Sequence, residues 1–476
     1  MLGVPITLTA QHWIYLAVII IVIIAMVRKK DVILPCIVGT LLIGLVAGGW
    51  DIVFAVQTVF RSMYVAASSI IGIIIVIALM MAMLRPLAGM GADQMMITPA
   101  AKMIKSPAIA FWVIAGVMYI LSTFFWPPPA TALVGTILIP IAVKAGLKPL
   151  LACMALNIAG HGMALSGDII IQGAPSLTAY AAGVPVSGVL FYGALFGAIT
   201  GITALIAAFL LNRKEITAGA ASTETTGASV PSAGSTSESS AKKSSPYAKY
   251  FAIGVPIVFL LILVRIVLGS MDMGFSSIVG GAASALLGGT AAVILLVATI
   301  ADSRTKALEK MVEHTREGFM FGIRIFAPII PIAGFFLLGA PNQAAQILGE
   351  GAPGLLFDLG SALVDVLPLS AVPVTVGMVL VAAITGLDGS GFSTLPLLGT
   401  LSASLATPLN LNVEVLTGLS QSVGIFVGAG TLPAWAIGVA AAAGVAGVSP
   451  VELVRKNFVP VIIGFAVSTI VAVFLL

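Results

Sequence analysis

Long apolar segments recur along nearly the whole chain, separated by short polar, glycine-rich or proline-rich stretches. A helix that crosses a membrane needs roughly 20 apolar residues, and about fourteen segments are candidates, some of them short or re-entrant. Of the 476 residues, 59% are hydrophobic and only 8% are charged, whereas a soluble domain carries about 25% charged residues. The pattern therefore predicts an all-α polytopic membrane protein, and it excludes a water-soluble fold.

One stretch departs from this pattern. Residues 216–246 are rich in Ser, Thr, Ala and Gly and show no apolar periodicity, which is typical of a flexible, solvated linker. They divide the chain into a first membrane half, residues 1–215, and a second membrane half, residues 247–476.

The two halves have matching motifs at a constant spacing. Gly135-Thr136 recurs as Gly399-Thr400, 264 residues later (399 − 135), and Gly183-Val184 recurs as Gly447-Val448 at the same offset. Near the start of each half, Arg61 falls on Arg316 at an offset of 255 (316 − 61), so an insertion or deletion separates the two registers. The sequence thus predicts an internal repeat.

Basic residues indicate how the halves are oriented. Arg28, Lys29 and Lys30 directly follow the first apolar segment, and basic loops face the cytoplasm. Later basic loops can face the same side, whereas the loop over residues 340–366 is acidic. This predicts an odd number of crossings in the first half, a cytoplasmic linker, and two inverted-topology repeats with discontinuous helices. The expected location is the plasma or inner membrane, and the net charge of +4 indicates topology rather than a nucleic-acid partner.

The first candidate site is the segment 157–176, where several glycines and Pro175 interrupt an apolar run. Broken helices expose backbone groups that bind ions, and ionisable residues within a membrane are costly enough to suggest function. Asp168 and His161 are candidate ion-coupling residues, and Asn157 and Ser166 are candidate substrate ligands. Alternatively, Asp168 lies in a turn outside the membrane and His161 is a packing residue.

The second candidate site is the segment 385–394, which carries three glycines between apolar runs. Asp388 is its candidate ion-coupling residue, and its candidate substrate ligands are Ser390, Ser393 and Thr394. At the 264-residue offset its repeat mate is the proline-rich segment 126–131, which adds Thr131 as a candidate substrate ligand. An ordinary connecting loop is the alternative.

The third candidate site is the segment 418–433, with Ser420, Gln421 and Ser422 as candidate substrate ligands. Gln421 is the repeat mate of Asn157, so the two amides could face each other at a twofold axis. Alternatively, these groups only form hydrogen bonds between helices.

Arg324 lies within an apolar stretch that also contains two prolines. A guanidinium within the membrane needs an anionic partner, so Arg324 is a candidate ligand for an anionic substrate. Pairing with a protein carboxylate and snorkelling to the membrane surface are the alternatives.

The arrangement resembles the ion-transporter superfamily, which includes the gluconate, citrate–metal and C4-dicarboxylate permeases. The resemblance rests on the two halves, the polar linker, and the paired breaks at 126–136, 157–176, 386–400 and 418–433. It implies re-entrant hairpins that meet at the centre, organic-anion substrates, and coupling to H+ or Na+. The Ser-Asn-Thr signature of some dicarboxylate carriers is absent, and only Ser393-Thr394 is comparable.

These observations favour a secondary active transporter that carries a small organic anion by symport with H+ or Na+. A cation/proton antiporter is the main alternative, followed by a channel. A membrane enzyme is not expected, since no metal-ligand cluster or Ser–His–acid set is evident. No cofactor is expected beyond H+ or Na+ as the coupling ion. The expected partners are the lipid bilayer and the substrate, and a homodimer remains open.

Overall fold

The computed structural model describes residues 7–28, 30–217, 245–270, 278, 281–366, 370–387, 389 and 391–476. Over these ranges the chain is helical and contains no β-strand. Residues 218–244, most of the linker expected from the sequence, lie outside the described residues.

The described residues of the first half form eleven α-helices and one π-helix. In order they are α1 (Ala10–Val27), α2 (Ile33–Ala47), α3 (Ile52–Met90), α4 (Ala92–Ala101), α5 (Pro107–Phe125), α6 (Pro127–Lys144), α7 (Pro149–Asn157), a first π-helix (Ile158–Ala164), α8 (Leu165–Gly167), α9 (Gly173–Ala182), α10 (Val186–Leu211) and α11 (Arg213–Thr217).

The second half follows a comparable order. It comprises α12 (Ala248–Ser270), α13 (Gly281–Ser303), a 3-10 turn (Arg304–Lys306), α14 (Ala307–Phe326), α15 (Ile329–Leu337), α16 (Pro341–Leu348), α17 (Leu355–Val366), α18 (Ala371–Gly386), α19 (Leu395–Ala406), α20 (Val413–Phe426), a second π-helix (Val427–Thr431), α21 (Ile437–Ala446) and α22 (Pro450–Leu475).

Nine helical segments of the described chain are long and apolar enough to cross a membrane, and five shorter apolar helices accompany them. This agrees with the fourteen or so segments that the apolar pattern predicts. The chain is thus an all-α polytopic membrane protein, as its composition indicates.

Corresponding helices of the two halves begin 264 residues apart. The pairs are α5 and α18 (371 − 107), α7 and α20 (413 − 149), α9 and α21 (437 − 173), and α10 and α22 (450 − 186). Gly183 and Gly447 end α9 and α21 in the left-handed conformation, with φ of 69° and 65°, which glycine adopts without steric cost. The Gly-Val pairs seen in the sequence are therefore equivalent helix C-caps. Further upstream, α14 begins 255 residues after α3 (307 − 52), the offset of the two arginines.

Each half contains a helical hairpin followed by an interrupted helix. In the first half, α5 and α6 pack together and join at Trp126, whose φ is +68°. After α6, α7 runs through the first π-helix and α8 to a non-helical segment, 168–172, before α9 begins. In the second half, α18 and α19 pack together, and α20 runs through the second π-helix to the segment 432–436 before α21 begins.

The matched helices α10 and α22 pack against each other in opposite directions. Glu215, just after α10 ends, accepts hydrogen bonds from Lys456 near the start of α22 (2.8 Å) and from Lys148 before α7 (3.3 Å). The hydrogen bond from Lys456, together with Lys148, holds the pKa of the Glu215 carboxyl below its ordinary value. At the other end of α10, Gly188 lies against Glu414 at the start of α20. Therefore α7 and α20 start from opposite faces of the protein.

The helix α3 is 39 residues long and contacts several other helices. It packs against α13 and α14. Gly318 and Gly322 of α14 lie against the carbonyl oxygens of Ala78 and Ile74 on α3, where a side chain would not fit easily. Small residues at such contacts let membrane helices approach closely.

Candidate functional site

The two interrupted helices meet through a reciprocal pair of hydrogen bonds. Asn157 Nδ2 donates to the carbonyl oxygen of Gly430 (2.6 Å), and Gln421 Nε2 donates to the carbonyl oxygen of Ser166 (3.2 Å). Both amide side chains are fully buried. The offset is the same for the two donors (421 − 157) and for the two acceptors (430 − 166), namely 264. Each amide thus binds the equivalent backbone position of the other half.

A third amide, Asn457 on α22, completes this centre. Its Nδ2 donates to Asn157 Oδ1 (2.9 Å) and to the carbonyl oxygen of Thr431 (3.1 Å), and the side chain is buried. The sequence pattern does not single out Asn457, because it directly follows the charged residues Arg455 and Lys456. Helical periodicity was the available signal, since it turns position 457 away from Lys456.

Residues at matched positions also contact each other directly. Gly162 lies against Phe426 (426 − 162 is 264), and a Cβ added to Gly162 would come within 2.8 Å of Phe426 Cζ. Gly464 on α22 lies against its own mate, Thr200 on α10. Such contacts between equivalents arise where two similar units meet around a twofold axis, as in isologous interfaces.

Asp168 lies at the break between α8 and α9. Its φ of +38° is left-handed, and its carboxylate accepts the backbone N–H of Ala174 at 2.9 Å. The carboxylate therefore faces the positive end of the α9 dipole. Only 5% of Asp168 is exposed, and it is the one buried carboxylate among the described residues. At the 264-residue offset its mate is Leu432, so the two halves differ in charge here.

His161 occupies the first π-helix and is buried. Neither ring nitrogen has a hydrogen-bond partner among the described residues. Gly438, in the first turn of α21, lies directly against the imidazole, where an added Cβ would be 2.6 Å from Cγ. The ring is therefore held between the two halves with both nitrogens available to a ligand.

The turns of the two hairpins meet at an aromatic cluster. Trp126 from the first turn and Phe392 from the second have ring centroids 5.6 Å apart, and Phe326 of α14 lies 5.5 Å from Phe392 and 6.3 Å from Trp126. Phe392 also reaches the first half, since a Cβ on Gly173 would lie 3.9 Å from its ring. Both hairpins thus end near the start of α9 and near Asp168.

The other predicted ligands divide into three groups. Thr131, Thr394 and Ser422 are fully buried, and their hydroxyls have no hydrogen-bond partner within the part of the chain that the structure describes. Ser166, Ser420 and Ser393 are buried too, but Ser166 donates to the carbonyl of Met163 and Ser420 shares a hydrogen bond with Ser402. Asp388 and Ser390 lie outside the described residues.

Arg324 is not part of this buried set. Its side chain lies on the exposed surface of α14, close to the exposed Met320 and Ile323. The charge therefore does not occupy the protein interior in this structure, which fits the alternative of a surface or snorkelling position. The sequence alone does not determine whether the face of α14 that carries Arg324 is buried or exposed.

The membrane-length helices and the buried, interrupted helix pair define a polytopic α-helical membrane protein, and no family model matches the chain. Over 468 residues the chain is 37% identical to the uncharacterized membrane protein YhfA of Bacillus subtilis (strain 168), covering 98% of each protein. The chain belongs to the same family as YhfA.

Proposed function

We propose that the protein is a secondary active transporter that couples the movement of a small organic anion to H+ or Na+ across the plasma or inner membrane. The observation that carries the proposal is the pair of interrupted helices, whose breaks are buried and meet in the interior of the protein. Irregular backbone at membrane depth is tolerated where it lines a cavity or is enclosed by protein. In secondary transporters such breaks bind the solute and the coupling ion.

Inverted repeats are the second part of the proposal. Their support is the 264-residue offset of the helix starts, the reciprocal bonds of Asn157 and Gln421, and the opposite directions of α10 and α22. Two inverted halves give a transporter two related conformations, with the site open to one side or the other. The basic cluster of Lys148 and Lys456 would then mark the cytoplasmic face.

Within the centre, the groups divide by chemistry. The hydroxyls of Thr131, Thr394 and Ser422 and the imidazole of His161 are buried and form no hydrogen bond with any described residue, so they are available to bind a solute. Asp168 supplies the negative charge for Na+ or the position for a proton. The anion would be bound by hydroxyl, imidazole and backbone N–H groups, since no Lys or Arg side chain among the described residues is buried.

A cation/proton antiporter is the second candidate. It is favoured by one observation, the buried Asp168 in a described interior that holds no Lys or Arg side chain. An antiporter needs a carboxylate that exchanges cations, and it needs no anion site.

A thermal-shift screen of the purified protein separates the two candidates. We expect a mono-, di- or tricarboxylate or sugar acid to raise the melting temperature, and to do so more strongly in Na+ or at lower pH, because a ligand that binds the folded state stabilises it. For an antiporter, Na+, K+ or Li+ alone would raise the melting temperature and no acid would. If no acid stabilises the protein under either ion condition, the organic-anion assignment is wrong.

A further inference from the structure

A cavity of about 440 Å³ opens between α3, α13 and α9. Each of these helices contributes one serine to its lining, namely Ser69, Ser284 and Ser176. Much of the remaining wall is glycine or alanine, and at Gly72, Gly281 and Gly289 an added Cβ would meet no atom within 4 Å. The cavity therefore combines open space with hydroxyl groups from three helices.

Ile73 connects the cavity with the central site. Ile73 lines the cavity, and it also lies 2.9 Å from the Cβ position of Gly173 on α9. That same position is 3.4 Å from Asp168 Oδ2 and 3.9 Å from the ring of Phe392. Ile73 thus lies between the cavity on one side and Asp168 with the second hairpin turn on the other.

We propose that this cavity is the entry chamber through which the transported solute reaches Asp168, with Ile73 as its inner gate. The identity of the solute, a small hydrophilic organic anion, rests on the proposed function. Hydroxyl groups can replace part of the solute's hydration without holding it by charge. Ser69 Oγ donates to the carbonyl oxygen of Ala66 in its own helix (2.7 Å), and its oxygen can still accept a hydrogen bond from a solute or from water.

Cysteine accessibility tests the chamber without knowledge of the substrate. The two native cysteines, Cys36 and Cys153, are buried and are replaced by alanine in the background chain. Ser284→Cys is then reacted with the anionic thiol reagent 2-sulfonatoethyl methanethiosulfonate in proteoliposomes. The matched control is Leu380→Cys, at an exposed apolar position of α18 that belongs to the lipid-facing surface.

We expect Ser284→Cys to react at least about tenfold faster than Leu380→Cys, because the thiolate is the reactive species and forms only where water has access. Equal rates at the two positions would mean that lipid fills the groove, and they would overturn the proposal. Gel filtration of each variant before labelling confirms that it is folded.

A second labelling measurement tests the gate. Gly173→Cys is combined with Ile73→Ala, which removes the methyl group closest to the new side chain. The anionic reagent should label Gly173→Cys several-fold faster in that background than in the chain that keeps Ile73, because the smaller side chain opens the passage from the cavity. Unchanged labelling would show that solutes reach Asp168 by another path. Since neither measurement involves transport, a failed chamber and a failed transport assignment give different results.

Discussion

Asn157 forms two hydrogen bonds to the other half of the protein. It donates to the Gly430 carbonyl and accepts from Asn457. Its mate Gln421 makes the single, longer bond to the Ser166 carbonyl. The three amides therefore hold the interrupted helices together, and Asn157 contributes the most.

Asn157→Ala should destabilise the protein by about 1–3 kcal/mol, because it leaves the Gly430 carbonyl and one Asn457 N–H without this partner in a buried place. Gln421→Ala should cost less. Thr136→Ala is the matched control, since Thr136 is exposed and bonds only to carbonyls of its own helix. Thermal midpoints in detergent measure the difference, and equal midpoints for Asn157→Ala and Thr136→Ala would contradict this role.

Asp168→Asn should leave the protein folded and abolish uptake against a gradient. The amide keeps the shape of the side chain but removes the charge and the proton position, and the Ala174 N–H can still donate to the amide oxygen. Uphill uptake and thermal midpoint are measured together. Normal accumulation by Asp168→Asn would exclude this residue as the coupling group.

At the scale of the elements, the first π-helix meets the end of α20 at Gly162 and Phe426. Gly162→Ala should destabilise the protein by about 1–3 kcal/mol through overpacking, because the new methyl group would press on the buried Phe426 ring. Phe426→Leu in the same chain should restore part of that loss. If the two substitutions are simply additive in thermal unfolding, Gly162 and Phe426 do not form the contact between the first π-helix and α20.

The sequence predicted many of these elements, but not their contacts. The glycine pairs gave the offset at which α9 and α21, and α10 and α22, begin and end, because left-handed C-caps need glycine. The roles of Asn457 and Arg324 could not be predicted in the same way. Both lie beside other charged or apolar positions on a helix, and only the packing of neighbouring helices decides which face is buried. The π-helices and the contact of Trp126 with Phe392 also depend on tertiary packing.

For the whole molecule, the orientation in the membrane is a prediction of its own. Glu215 lies just before residue 216 and pairs with Lys148 and Lys456. On the other side of the linker, the backbone N–H of Ser245 donates to the carbonyl oxygen of Met90 at the end of α3. We expect Lys148 and Lys456, and therefore the linker over residues 216–246, to face the cytoplasm.

A protease site inserted within residues 218–244 tests this orientation. Cleavage should occur in inside-out vesicles and not in intact right-side-out vesicles, and the cut protein should keep its thermal midpoint. Cleavage of intact right-side-out vesicles would reverse the assigned topology.

The most direct test of the account is accumulation in proteoliposomes. An acid that stabilises the protein in the thermal-shift screen is supplied outside vesicles with an inward H+ or Na+ gradient. Coupled transport requires that the internal concentration rises above the external one, that an ionophore abolishes the rise, and that Asp168→Asn vesicles only equilibrate. Equilibration without accumulation by the unmodified protein, under both gradients, would contradict coupled transport and indicate a passive pathway.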